Sequence, residues 1–216
     1  MAIARVNSTT GTNSLTFASP VAGYIQLVFA SRDGSNTAPT VPSAPTGNSW
    51  NTIGSGSGGN TCASILVWRY VASGSDTSSG TFTNATSIIG VQYSGCHTTT
   101  AIGGNSDTGA SSNSINFDTV SFTDTGGTSW AVGFVGHRQT DGTITTAPSG
   151  MSNVTSVSDA TDQAAVHDTN GTVTGWSSTS ASIGGTASGY RARVVEIRAE
   201  PVAGTSMSIN MMMGVG

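Results

Sequence analysis

The sequence predicts an all-β fold: an antiparallel β-sandwich, jelly-roll-like, with long polar loops and a C-terminal tail. Three observations predict it. Ser, Thr and Gly supply 33, 33 and 29 of the 216 residues, a content poor for helices because Ser and Thr compete for backbone hydrogen bonds and Gly loses the most entropy on folding. The same content suits turns and strands, where β-branched Thr is at home. Apolar residues recur in short runs bounded by Gly and Asn turn signals, and the runs follow one another without intervening helical patterns. With 36% hydrophobic and 8% charged residues the chain can build a core and lacks the composition of a disordered one. Its length fits a single sandwich domain over residues 1–200, followed by an apolar tail or final strand over 201–216.

The strands read in order along the chain. "GYIQLVFAS" (Gly23 to Ser31) sets Ile25, Leu27 and Phe29 against Tyr24, Gln26 and Val28. "CASILVWRYVA" (Cys62 to Ala72) is apolar on both faces, the pattern of a strand covered on both sides. "SIIGVQYSG" (Ser87 to Gly95) and "SINFDTVSF" (Ser114 to Phe122) follow. In "TSWAVGFVGH" (Thr128 to His137), Trp130, Val132 and Phe134 share one face and Ala131, Gly133 and Val135 the other, and "GYRARVVEIRA" (Gly189 to Ala199) closes the series. "DTGGTSW" carries a Gly-Gly hairpin signal. Asn170-Gly171 is the favoured type I′ pair, which predicts a hairpin with Ala164 to His167 facing Val173 to Trp176. "SDATDQAAVH" admits a short helix capped by Ser158 or Asp159, but the turn signal after it favours a strand. Ser31 to Asn48 and Thr98 to Asn113 read as long polar loops, and no repeat of roughly 20–50 residues is present.

"TVPSAPTGNSWNTI" (Thr40 to Ile53) has the prolines of an interdomain linker, yet it ends in Trp50 and Ile53, which call for burial. It reads as a surface loop inside one domain, stiffened by prolines that fix φ and lower unfolded-state entropy. It is also a candidate contact with a neighbouring subunit.

The chemistry-bearing residues are few. All seven basic residues are Arg and the net charge is −4, which excludes the basic patch that grips a phosphate backbone, so no nucleic-acid partner is expected. Without Lys no P-loop exists. Gly54 to Gly59, "GSGSGG", matches G-x-G-x-x-G formally, but a strand follows where a dinucleotide site needs a helix, so it reads as a flexible loop. His97, His137 and His167 are scattered, with no H-x-x-x-H or C-x-x-C, and neighbouring Cys96 and His97 would point to opposite faces of a strand. No metal or cofactor is expected. There is no G-x-S-x-G elbow, and Glu196 and Glu200, the only glutamates, share one segment. No catalytic residue is assigned and the chain is expected not to be an enzyme. No run approaches the 18 apolar residues of a membrane span, and "MAIARVNSTT" lacks the pattern of a signal peptide. If the strands around Ile65 and Ile89 pair antiparallel with residue 71 opposite 87, Cys62 and Cys96 face each other across the ladder. That leaves a close cysteine pair, bridged or reduced.

The succession "APTVPSAPTGNSW", a Gly-rich gap, "ASILVWRYVASGSD", "GTFTNATSIIGVQYSG" and "ASGYRARVVEIRAE" resembles a β-sandwich pattern found in many tailed-phage virion proteins, over roughly residues 21 to 200. In that pattern a Pro-rich loop and a Gly-Trp step precede a central strand ending in an Arg-Tyr-like pair; here Asn48-Ser49 separates Gly47 from Trp50. The resemblance implies a structural protein of a virion made in the host cytoplasm: a capsid decoration protein, a head fibre or a tail component, with no catalytic residues to carry over. The leading expectation is a decoration or cement subunit on the shell exterior, a homo-oligomer such as a trimer, with capsid or other virion proteins as partners. The tail "SMSINMMMGVG" supplies adaptable apolar side chains, Met207, Ile209, Met211, Met212 and Met213, for a partner groove; alternatively it is the sandwich's own last strand. A second expectation is a tail-fibre or receptor-binding module for carbohydrate, with Trp50, Trp130 and Trp176 as stacking platforms.

Overall fold

The computed structural model describes residues 1–43, 47–58, 62–138, 144, 146–158, 163–182 and 188–201; the tail residues Met207, Ile209, Met211, Met212 and Met213 lie outside them. The described chain is all strand and turn. A first sheet holds β1 (Ala4–Gly11), β2 (Ile25–Asp33), β3 (Asn51–Gly58), β4 (Cys62–Tyr70) and β5 (Ser87–Ser94), in the order β1-β5-β2-β4-β3. A second holds β6 (Ile102–Ser112), β8 (Trp130–His137), β9 (Ser152–Ser158), β10 (Gln163–Asp168) and β12 (Ser188–Ile197), in the order β6-β12-β8-β10-β9. β7 (Ser114–Phe117) pairs separately with β11 (Thr179–Ser182). Every pairing is antiparallel.

The two large sheets stack face to face, as an antiparallel sandwich does. The strand order is not that of a jelly roll, in which consecutive strands alternate between sheets. Here the first five strands complete one sheet before the chain starts the other.

The main core lies between the sheets. Ile25, Leu27 and Phe29 from β2, and Ile89, Val91 and Tyr93 from β5, meet Trp130, Val132 and Phe134 from β8 and Val195 and Ile197 from β12. The alternation read in β2 and β8 therefore selects the faces it predicted. Phe29 stacks on Phe134 with ring centroids 5.8 Å apart and planes 19° apart. Each sheet is covered on its outer face as well. Leu15, Phe17 and Phe82 close over Val28, Ala30, Val67 and Ile88 of the first sheet, and Ile115, Phe117, Val120 and Trp176 close over Ala131, Val135, Ala165 and Val194 of the second. Double covering explains why β2, β5 and β8 read as nearly continuous apolar runs.

The segment from Thr40 to Ile53 runs between two strands of one sheet, since β2 and β3 both lie in the first. Its ends are anchored: Thr40 bridges Thr83, and Trp50 packs on Phe82 at 6.3 Å. Other expectations are corrected. Gly54 to Gly58 is not a flexible loop but part of β3, and most of the expected loop from Thr98 to Asn113 is β6. Asn170 adopts φ 44° in a turn, but no hairpin follows, because Val173 and Trp176 bridge Ser129 and Val120 over the outer face while β10 pairs with β8 and β9. Likewise "DTGGTSW" forms a turn tied by Asp124, whose carboxylate accepts from the Gly126 amide at 2.9 Å and the Thr128 hydroxyl at 2.6 Å, and it joins a cover segment to β8 rather than two paired strands.

Cys62 and Cys96 are not neighbours. β2 lies between β4 and β5, so the expected ladder does not form, and neither cysteine is in a disulfide. Cys62 opposes Asp33 at one end of β2, whereas Tyr70 and Tyr93 both oppose Ile25 at the other. Eight residue steps at about 3.3 Å each put the two cysteines more than roughly 25 Å apart.

Candidate functional site

Three polar side chains form a row across the buried outer face of the first sheet: Arg69 on β4, Gln26 on β2 and Gln92 on β5, in register. A charge in a doubly covered strand must find partners or leave the core. Arg69 is fully buried and donates from Nε to Gln26 Oε1 at 2.9 Å and from Nη2 to the carbonyls of Asp76 and Ser78 at 3.3 and 2.9 Å. Gln26 passes the chain on, donating to Gln92 Oε1 and to the Asp76 carbonyl, both at 3.0 Å. The Trp50 ring lies over the guanidinium, 4.4 Å from Cζ to ring centroid, while its indole N–H donates to the Ser79 carbonyl at 3.0 Å. Asp76 in turn accepts from the amides of Ala72 and Ser73 at 2.6 and 3.2 Å. Gly47, at φ 78°, leaves space for that carboxylate; a Cβ there would sit 2.3 Å from Oδ2. Burial lowers the Arg69 pKa and the charge of Asp76 opposes the shift. The quoted pattern residues Gly47, Trp50, Arg69 and Asp76 thus converge on one clasp that fixes the loop after β4 and the return of the Pro-rich segment.

The second sheet uses the opposite charge for the same task. Glu196 on β12, fully buried, accepts from the amides of Gly104, Thr123 and Asp124 at 2.8, 2.6 and 3.0 Å and from the Ser129 hydroxyl at 2.8 Å. Arg69 gathers carbonyls and Glu196 gathers amides, and each holds a cover segment on its sheet. Replacing Arg69 with Met is expected to cost about 3 kcal/mol in urea unfolding, because the Asp76 and Ser78 carbonyls lose their donor and the Trp50 contact loses its cation.

The Gly-rich strand has a steric role. Arg193 and Arg191, on the inner face of β12, lie against β3 and share Asp107 of β6. A Cβ on Gly54 would sit 2.3 Å from Arg193 Nη1, and one on Gly56 2.8 Å from Arg191 Nη2. The glycines of "GSGSGG" therefore seat two guanidinium groups where a phosphate reading would have needed exposed amides. Burial, opposed by Asp107, lowers the Arg193 pKa. At the other rim Asp168 accepts from Arg5 Nη1 at 2.8 Å and from the Tyr93 hydroxyl at 2.9 Å, tying β1 and β5 to β10. Burial raises the Tyr93 pKa, and Asp168 adds to the shift.

Two of the histidines are buried in the second sheet and the third is not. His137 and His167 lie on the outer face of the second sheet, fully buried and with no hydrogen-bond partner for either ring nitrogen among the described residues, and burial lowers each pKa to about 4. His167 packs edge-on against Phe117 at 5.8 Å. His97 sits apart in the turn after β5, its Nδ1 accepting from the Thr99 and Thr100 amides, both at 3.3 Å. Burial pushes the Cys96 thiol up to about 12, so it is held as the unreactive thiol. Among the described residues no group of His, Cys, Asp and Glu is placed to hold a metal ion. A cavity of about 250 Å³ opens between Met1, Ala2, Thr128, Thr172, Ala199, Glu200 and Pro201.

The tryptophans named as sugar platforms are not free faces. Trp130 and Trp176 are 6% and 7% exposed, and Trp50 is occupied by Arg69. Sequence reading missed the clasp itself. Its signal was present in "CASILVWRYVA", where a lone arginine interrupts a strand apolar on both faces. Comparison with protein-family models, with curated proteins and with solved structures finds no match for this chain.

Proposed function

We propose that this chain is a non-enzymatic structural component of a tailed-phage virion, a decoration subunit that binds the shell exterior and stabilises it. The observation that carries the reading is how the charge is used. Each arginine side chain makes an intramolecular bond: Arg5 to Asp168, Arg32 to the Thr37 carbonyl, Arg69 in its clasp, Arg138 to Asp33, Arg191 and Arg193 to Asp107, and Arg198 to Thr100. The cations brace the sandwich. What the edge strands present instead is mainly small and polar side chains: the alternating exposed positions are Ala4, Val6, Ser8 and Thr10 in β1 and Asn105, Asp107, Gly109 and Ser111 in β6. A doubly covered sandwich braced in this way suits a surface that must persist outside a cell. The resemblance of the Pro-rich loop, the central strand ending in Arg69-Tyr70 and the β12 segment to virion sandwiches adds the particle as partner.

The test mixes the purified full-length protein with capsids lacking it and sediments them. Co-sedimentation that saturates at a fixed ratio is expected, with loss of binding on deletion of Ser206 to Gly216. Absence of capsid binding together with selective glycan capture would replace the proposal with the receptor-binding alternative.

A further inference from the structure

We infer that the inner face of each sheet is a self-complementary docking surface for a second copy of the same five-stranded unit, so that the sandwich is a fused isologous dimer. The inference rests on topology and register alone and is independent of the virion reading.

Both sheets use one strand order. Replacing β1, β2, β3, β4 and β5 by β6, β8, β9, β10 and β12 turns the first order, β1-β5-β2-β4-β3, into the second, β6-β12-β8-β10-β9. Five antiparallel strands admit many orders, and both halves of the chain adopt this one. The registers agree residue by residue. Ile25, Leu27 and Phe29 oppose Tyr93, Val91 and Ile89 in the first sheet, and Trp130, Val132 and Phe134 oppose Ile197, Val195 and Arg193 in the second.

The irregularities agree too. On the outer edge of the first sheet, three steps of β1, from Arg5 to Ser8, span two steps of β5, from Tyr93 to Val91. In the second, three steps of β6, from Ile102 to Asn105, span the equivalent two of β12, from Ile197 to Val195. On the opposite edges, β3 inserts Ile53 between the partners of Val67 and Leu66, and β9 inserts Val154 between the partners of the equivalent His167 and Val166. β-Bulges persist within families as built features. The covers correspond as well: the link between the first and second strand of each unit bridges the link between the fourth and fifth, at Thr16–Ser78 in one and Val120–Trp176 in the other.

The contacts between the sheets are reciprocal, as a two-fold interface requires. β1 packs on β9 as β6 packs on β3, and β5 packs on β10 as β12 packs on β4. β2 meets its own counterpart β8, and the Phe29–Phe134 stack joins equivalent residues at the axis. Among the inner residues above, Phe29/Phe134 and Val91/Val195 keep their identity and the others change, so the duplication leaves no visible repeat in the sequence.

The symmetry makes a numerical prediction about chain order. By register, Cys96 corresponds to Glu200 and Ala101 to Ala4. Residues 97–100 join the first pair of positions, and a direct Pro201–Met1 bond would leave the same number, Pro201, Met1, Ala2 and Ile3, between Glu200 and Ala4. The Met1 amino group already donates to the Glu200 carbonyl at 3.3 Å. The test compares two circular permutants opened between Thr98 and Thr99: one keeps all 216 residues, so that 202–216 link Pro201 to Met1, and one omits 202–216 and bonds Pro201 directly to Met1. Both are expected to unfold cooperatively with native far-UV circular dichroism, the short-joint chain at an equal or higher urea midpoint because its closing loop is shorter. Failure of the short-joint chain to fold while the long-joint chain folds would overturn the equivalence of the two connections, and failure of both would overturn the exchangeability of the two units.

Discussion

Replacing Phe134 with Ala is expected to lower the stability of the chain by about 3–5 kcal/mol, the range for deleting a fully buried aromatic side chain. Phe134 is fully buried, stacks on Phe29 and lies in the core shared by the sheets. The cavity would open where both sheets meet, and Leu66 and Val166 sit on strands already fixed by ladders on both sides, so little collapse can fill it. Urea unfolding followed by tryptophan fluorescence measures the loss, with Val6→Ala as the control. Val6 is 38% exposed, and its truncation is expected to change stability by less than about 0.5 kcal/mol. An effect of Phe134→Ala as small as the control's would mean that the sheets do not share this core.

Acid is expected to weaken the fold through His137 and His167. Their folded pKa values, depressed to about 4, lie below the unfolded value near 6.5. The unfolded chain therefore binds protons first as pH falls, and the contribution of the neutral pair is whole above pH 6.5 and lost progressively down to about pH 4. At about pH 5 each histidine is expected to cost on the order of 2 kcal/mol. Urea midpoints for the native chain should fall steeply between pH 7 and pH 5. In the double variant His137→Leu, His167→Leu much of that dependence should vanish. If the double variant keeps the native slope, the pair is not the titrating element.

The strands legible in the sequence are those whose apolar residues commit them to a core. β2, β4, β5, β8 and β12 sit inside their sheets or carry runs buried on both faces, and each was visible from its pattern. β1, β3, β6 and β9 are the sheet edges, built mostly from Ser, Thr, Asn and Gly. Their extended state comes from the ladder partner beside them, so their own residues signal loop. That is why "GSGSGG" read as a flexible segment and residues 98–113 as a polar loop. The Asn170-Gly171 signal failed for a related reason: local turn chemistry was right, but Trp176 is buried under the outer cover and takes the chain away from β10.

Pairing across distance was the least legible. The cysteine inference assumed that strands adjacent in the chain are adjacent in the sheet, whereas β5 inserts between β1 and β2 and so leaves β2 between β5 and β4. The clasp was half legible. Its members stand in the quoted segments, yet only the fold brings Trp50 over Arg69 and Asp76 beneath Gly47. Arg69 and Glu196, both fully buried, lie at positions where an apolar residue would continue the strand pattern, which marks them as anchors for the covers.

The proposed virion role is tested most directly by a symmetry-averaged reconstruction of phage particles produced from a genome that carries this chain, paired with mass spectrometry of the purified particle. The expected result is the chain among the particle proteins, with density outside the shell that accommodates two stacked five-stranded sheets at symmetry-related positions. A purified particle that contains none of the chain, with no unassigned exterior density, would contradict a structural role in the virion.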